Sequence, residues 1–254
     1  MNILLTNDDG YSAKGIQSLK NALKREGHNV YISAPAGPSS CSSQALTVNN
    51  PIRVEKIEDN DDSILVVNGF PADCIFPALL DYYKDIHFDL VVSGINNGAN
   101  LGYDVNYSGT IGAAREALAY GIPTLAVSYF THNPDADFTP ACNWTVKIID
   151  RLYKDMRNDV LYNLNVPYLP DDEIRGFYVC PMSQFKYFKK IEKINDPYGR
   201  DYFFILGDYK WELVEGLDAK RLVDEDCVTL TPISLDYTDY KEIQRLNNVL
   251  RGIK

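Results

Sequence analysis

Asp8, Asp9 and Gly10 follow the apolar run Ile3-Leu4-Leu5, and adjacent carboxylates repel unless something positive holds them. A divalent cation is the expected source of that charge. Successive side chains of a strand point to opposite faces, so both carboxylates can serve one ion only where the backbone has left the strand, and Gly10 permits that turn. Carboxylate oxygens select hard ions such as Mg²⁺, Mn²⁺ or Ca²⁺ over soft ones. A position outside the carboxyl end of a first strand is also where open α/β sheets bind ligands. An acidic loop in water has the same local sequence, and Asp-Asp-Gly by itself leaves both readings open.

Further segments bear on the choice. They are the Ser-rich loop Ser39-Ser40-Cys41-Ser42-Ser43 after Val30-Tyr31-Ile32-Ser33-Ala34-Pro35, the stretch Ser93-Gly94-Ile95-Asn96-Asn97-Gly98-Ala99-Asn100-Leu101-Gly102, and Tyr107-Ser108-Gly109-Thr110. Taken in order with Asn2–Gly10, they resemble the motifs of the SurE family, the stationary-phase survival protein and nucleotidase. The likeness is sharpest to about Ser128 and continues as short echoes at Leu164-Asn165-Val166-Pro167 and Val228-Thr229-Leu230-Thr231-Pro232. It implies a divalent-metal-dependent phosphatase acting on nucleoside 5′- and possibly 3′-monophosphates.

The resemblance also implies a site, residue by residue. Asp8 and Asp9 supply carboxylates, Ser40 a hydroxyl and Asn96 a side-chain carbonyl to one divalent cation per subunit, Mg²⁺ or Mn²⁺ by the hardness of the oxygen donors. The two aspartates are the expected catalytic residues, with Asp9 the candidate for orienting or deprotonating the attacking water. Ser108, Gly109 and Thr110 open the helical stretch Ala113–Tyr120 and are expected to hold phosphate at a helix N-terminus; an ordinary helix cap reads the same way. Cys41, beside Ser40, is expected among the substrate- and phosphate-binding residues, as an incidental small residue and not a nucleophile. Gly94, Gly98 and Gly102 either admit an anion to the backbone or turn a structural loop, which Asn100 is expected to hold through side-chain hydrogen bonds to the backbone.

The chain departs from the family pattern in this region. Ala36-Gly37-Pro38-Ser39 stands where relatives have Asp-Arg-Asn-Arg, Cys41 replaces a glycine, and Phe70 replaces a threonine. Ser39, Ser40, Ser42 and Ser43 are therefore alternatives for the ligand hydroxyl.

The elements that must position these residues are short. Apolar runs at Ile3–Leu5, Val30–Ile32, Ile64–Val67, Leu90–Val92 and Thr124–Val127 read as strands covered on both faces. Helical stretches lie between them: Ile16, Leu19 and Leu23 share one face, and Ala113–Tyr120 and Ala141–Tyr153 look similar. Pro71-Ala72-Asp73-Cys74 reads as a helix start, with Ala78-Leu79-Leu80 on the packed face. The alternation predicts an α/β, doubly wound, mainly parallel sheet, Rossmann-like, in residues 1–170. Residues 171–254 are expected to form an antiparallel hairpin arm, a returning strand and a C-terminal helix within a single domain overall.

Phe177, Tyr178, Phe185, Tyr187, Phe188, Tyr198, Tyr202, Phe203, Phe204, Tyr209 and Trp211 crowd the span of that arm. Such rings either fill the protein's own core or cover a subunit contact. The family resemblance implies the second, through an extended hairpin and exchanged C-terminal elements, hence a homodimer or homotetramer.

Composition excludes several classes. The chain has 254 residues, 45% hydrophobic, and 35 acidic against 25 basic residues for a net charge of −10, which argues against a nucleic-acid surface. No apolar stretch approaches the roughly 20 residues of a membrane helix and no basic, apolar leader opens the sequence, so no membrane contact and a cytoplasmic location are expected. Five cysteines occur without a C-x-x-C pair, and none of His28, His87 and His132 falls within the motifs. Zinc, redox and histidine-triad chemistry are thereby disfavoured. A non-catalytic nucleotide- or phosphate-binding sensor on the same fold is the alternative to the hydrolase.

Overall fold

The computed structural model describes residues 1–59, 62–184, 188–208, 213–251 and 253. β1 (Asn2–Thr6), β2 (Asn29–Pro35), β4 (Asp62–Asn68), β5 (Leu90–Asn97), β6 (Thr124–Phe130) and β7 (Val160–Pro167) run parallel in the order β4-β2-β1-β5-β6-β7. β3 (Arg53–Asp59) adds antiparallel to β4 at one edge. At the other, β11 (Cys227–Ser234) pairs antiparallel with β7 and parallel with β8 (Gly176–Val179).

Ile3, Leu4 and Leu5 are all fully buried because both faces of β1 are covered. Ile3 and Leu5 pack with Ile16, Leu19 and Leu23 of α1 (Lys14–Arg25) and with Ile148 of α4 (Thr139–Leu152). Leu4 faces the opposite layer, with Ile75 of the short α2 (Ile75–Pro77) and Ala117 of α3 (Gly109–Ala119). Unalternating apolar runs are what such a double-covered strand requires.

The expected α/β sheet is thus present, and β8 and β11 complete it. The returning strand therefore belongs to the same sheet as β1. The segment after Pro71 differs from the expected regular helix: it is a 3₁₀ turn (Ala72–Cys74), α2, then a π turn (Ala78–Tyr82). That change of winding rotates Leu80 into solvent while Ala78 stays buried.

β9 (Phe188–Asn195) and β10 (Asp201–Asp208) form the antiparallel hairpin, a separate two-stranded sheet. Tyr198, Tyr202, Phe203 and Phe204 do not fill the chain's own core, since all four are exposed. Phe177 and Tyr178 belong instead to β8 on the main sheet. Phe185, Tyr187, Tyr209 and Trp211 lie outside the described residues. α5 (Tyr240–Val249) buries none of its residues. No helix of the described residues is long and apolar enough to cross a membrane.

Candidate functional site

From β1 the chain adds β2 and β4 on one side, and from β5 it adds β6 and β7 on the other, so strand order reverses between β1 and β5. Asp8 and Asp9 follow β1, and Asn96 and Asn97 end β5, which places all four where an open α/β sheet offers a crevice. The turn after β1 is held by Asn7, whose Oδ1 accepts from Gly10 N (3.2 Å) and whose Nδ2 donates to Gly10 O (2.9 Å). Gly10 has φ +100° and a Cβ there would lie 3.1 Å from Gly37 Cα. Both conditions require glycine.

Asp8 is buried, and its Oδ1 accepts a 2.5 Å hydrogen bond from Thr110 Oγ1 at the start of α3. Burial pushes its carboxyl up to about 6; the Thr110 hydroxyl opposes that rise and the Asp9 charge adds to it. Asp9 is raised as well, again by burial, with the Asn97 N–H that donates to its Oδ2 (3.0 Å) working the other way. In the absence of a cation this corner is therefore an unfavourable place for two negative charges.

The Ser-rich loop is drawn onto the corner by its backbone. Ser39 N donates to Asp8 O (2.7 Å), and Ser43 N donates to Tyr107 O (2.9 Å). Ser40 and Cys41 are exposed, Cys41 with φ +58°. Ser42 is the serine whose hydroxyl turns inward: its Oγ is buried and finds no hydrogen-bond partner among the described residues. A Cβ added at Gly109 would stand 2.6 Å from that Oγ, 2.9 Å from Asp8 Cβ and 3.0 Å from Pro71 Cγ. Glycine at 109 is thus what lets the loop, the Asp8 carboxylate and the Pro71 turn meet on α3.

Ser108 caps α3, its Oγ accepting from Ile111 N (3.2 Å). Its hydroxyl is engaged with its own helix and that of Thr110 with Asp8, so both stand behind the carboxylate. Asn96 Nδ2 donates to Gly98 O (2.8 Å), which orients the side-chain carbonyl the other way. The adjacent Asn97 Oδ1 is buried without a partner among the described residues. Ser42 is one of the four serines the sequence leaves open for the ligand hydroxyl, whereas Asn97 goes unnamed among the ligands there; its place next to Asn96 was the available signal. The ring of His132 lies by the same loop, 3.9 Å from a Cβ added at Gly98.

Behind this loop Asn100 is held more firmly than the turn chemistry of asparagine alone foresees. Its N donates to Asn165 Oδ1 (2.8 Å), its Nδ2 to Ser128 Oγ (2.7 Å), and its carbonyl accepts from Asn163 Nδ2 (2.8 Å) and Asn165 Nδ2 (3.1 Å). Gly102 N is fixed in turn by the buried Asp218 (3.0 Å). Among the described residues no three His, Cys, Asp or Glu side chains converge, so an ion at Asp8 and Asp9 must complete its shell with neutral oxygens. The cleft of about 400 Å³ lined by Arg25, Lys147, Asp150 and Arg151 lies between α1 and α4, away from this corner.

The family model described as Survival protein SurE matches residues 3–189. The chain belongs to the SurE family. Among SurE relatives, the 5′-nucleotidase SurE of Petrotoga mobilis is 37% identical over 98% of this chain and 99% of its own. That of Desulfovibrio desulfuricans is 39% identical over 97% of each. The crystal structure of the SurE protein from Aquifex aeolicus superposes with a TM-score of 0.84 at 33% identity, covering 98% of this chain and 99% of that one. The SurE fold therefore extends over the hairpin and the C-terminal strand as well as the motif-bearing half.

Proposed function

We propose that this SurE-family protein is a divalent-metal-dependent 5′-nucleotidase that hydrolyses nucleoside monophosphates to nucleoside and phosphate. The observation that carries the reading is the corner itself: two carboxylates pushed toward neutrality by burial, Asp8 also by the charge of Asp9, next to the unpartnered oxygens Ser42 Oγ and Asn97 Oδ1. Hard oxygen donors around a local excess of negative charge suit Mg²⁺ or Mn²⁺. The relatives named as 5′-nucleotidases supply the substrate class.

Asp8, Asp9 and Asn96 would hold the ion, with a hydroxyl from the Ser39–Ser43 loop. Ser40 is the motif position and Ser42 the inward-facing one. Such an ion polarises a phosphoryl oxygen and makes hydroxide available near neutrality. The protein's own groups do the positioning. Thr110 fixes one oxygen of Asp8, and Asn97 N fixes one oxygen of Asp9, so both carboxylates are held in orientation. Asp9, less buried than Asp8, would orient or deprotonate the attacking water. The start of α3 at Gly109 brings its helix dipole to the phosphate.

The hairpin of β9 and β10 and the C-terminal α5 would serve assembly, residues 1–170 chemistry, in a homodimer or homotetramer. Five free thiols fit a reducing compartment such as the cytoplasm.

Incubating the protein with a panel of nucleoside monophosphates and Mn²⁺ or Mg²⁺ tests the reading. Phosphate release that chelator abolishes is the expected result. Nucleotide binding without release under every metal would instead show the sensor.

A further inference from the structure

An exposed phenylalanine stands at the edge of this corner with apolar shelter one residue away. Phe70 is 40% exposed, while Pro71, Ala72, Cys74 and Ile75, which follow it, are buried. Pro71 Cγ closes on the same point above Gly109 as Asp8 Cβ and Ser42 Oγ, so the ring is one residue removed from the carboxylate site. Its backbone is pinned on both sides: Phe70 N donates to Asp73 Oδ2 (2.8 Å) and Phe70 O accepts from Cys74 Sγ (3.5 Å). No other ring among the described residues stacks on it. An exposed apolar ring on a pinned backbone beside a polar site is suited to hold the apolar part of a ligand.

The buried Asp73 does more than hold Phe70. It also accepts from Thr47 N (2.9 Å) and Thr47 Oγ1 (2.7 Å). That clamp lays the end of the Ser-rich loop beside the Phe70 turn, and the residues flanking Thr47, Leu46 and Val48, are exposed like Phe70. One carboxylate thus assembles an apolar shelf from two separate loops, next to the corner where phosphate is to react.

We propose that Phe70, with the exposed Leu46 of the loop clamped to the same Asp73 carboxylate, is the platform on which the base of the nucleotide stacks, which makes it a specificity-determining residue of the nucleotidase. The proposal rests on the function inferred above and deepens it. A phosphate held at Asp8, Asp9 and Gly109 carries its nucleoside outward past Pro71, and every nucleobase presents a face that an aromatic ring can cover. The shelf carries no hydrogen-bonding side chain of its own beyond Thr47, which is engaged with Asp73, so it favours a base over a bare sugar without choosing among bases.

The experiment compares adenosine 5′-monophosphate with ribose 5-phosphate, which has no base, in Mn²⁺ or Mg²⁺, for the wild type, Phe70→Ala and Phe70→Trp. Phe70→Ala should lower kcat/KM for the nucleotide about tenfold, through KM, a loss typical of one base–aromatic stack. It should leave ribose 5-phosphate unchanged, and Phe70→Trp should preserve the preference. An equal loss on both substrates, or no loss on either, overturns the platform; equal loss with a smaller sedimenting species shows that the ring is a subunit contact. Saturation-transfer NMR with adenosine alone gives a readout independent of turnover. Base-proton signals present in the wild type and lost in Phe70→Ala support the platform even if neither phosphoester is hydrolysed, an outcome that would defeat the nucleotidase reading by itself; signals absent in the wild type or unchanged in the variant defeat the platform.

Discussion

The corner at Asp8 and the hairpin of β9 and β10 are built on opposite principles. At the corner the backbone carbonyl and one side-chain oxygen of Asp8, one side-chain oxygen of Asp9, and both main-chain polar groups of Asn100 are engaged by residues distant in sequence. In the hairpin Ile191 pairs with Ile205 on one face and Tyr202 with Ile194 on the other, and all four are exposed. A chain that buries its polar groups and displays its apolar ones has placed the first to work within the subunit and the second to be covered by something else.

The largest effect should come from the corner. Asp9→Asn should lower nucleotidase activity by more than about a hundredfold, since a lost ligand outweighs the 10–100-fold cost of a lost ligand-orienting group. It should also abolish the metal-induced rise in melting temperature, which for the wild type at about 100 times the dissociation constant corresponds to roughly 2.7 kcal/mol. An unchanged rise in Asp9→Asn would remove this residue from the site.

The hairpin is tested by charge. Ile191→Lys with Ile205→Lys puts two cations side by side on one face, which should convert the assembly to a monomer in sedimentation while the main sheet, judged by circular dichroism, stays folded. A wild type already monomeric at micromolar concentration would end the contrast between the two regions.

The support behind the corner should matter less. Asn165→Ala leaves Asn100 N without its acceptor, while the Asn100 carbonyl keeps Asn163 Nδ2; one such buried group left unpaired costs about 1–3 kcal/mol, measurable by urea denaturation. Metal affinity should fall with it, because Asn96 and Asn97 precede the loop that Asn100 anchors.

A smaller effect concerns pH. Burial, with Asp218 beside it, raises the Asp104 carboxyl from 3.8 to about 6. The folded state thus holds this proton more tightly than the unfolded chain, so the group favours folding below about pH 4 and that contribution is lost as pH rises through about 6. Asp104→Asn should flatten this part of the stability profile and gain relative to wild type above it, as read from melting temperature against pH. The smallest effect is expected at Cys41: its φ of +58° suits glycine, so Cys41→Gly should leave activity within about twofold and add at most about 1 kcal/mol of stability. Loss of turnover with metal binding intact would restore a covalent role for the thiol.

How much of this was legible before the fold was known differs between elements. Ile3–Leu5 and Leu90–Val92 were readable as strands because double burial leaves an unbroken apolar run, and α1 because Ile16, Leu19 and Leu23 repeat at helical spacing. The turn at Gly10 was readable because left-handed backbone calls for glycine. β3 was not: an edge strand buries one face at most, and Arg53–Asp59 carries no pattern that sets it apart from a polar loop. Phe177 and Tyr178 suit a strand, but nothing local assigned them to the edge of the main sheet and not to the arm.

The sequence by itself determined which side chains are on offer for the chemistry, since carboxylate, amide and hydroxyl side chains keep their donor character wherever the chain takes them. Only the tertiary structure decided how each is used. Thr110 turned to Asp8 instead of to solvent, Ser42 instead of Ser40 turned inward, and Phe70 was left outside by the Asp73 clamp. Those outcomes depend on which segments the sheet reversal at β1 and β5 brings together across tens of residues, and local patterning, which extends only over a strand or a helical turn, holds no record of them.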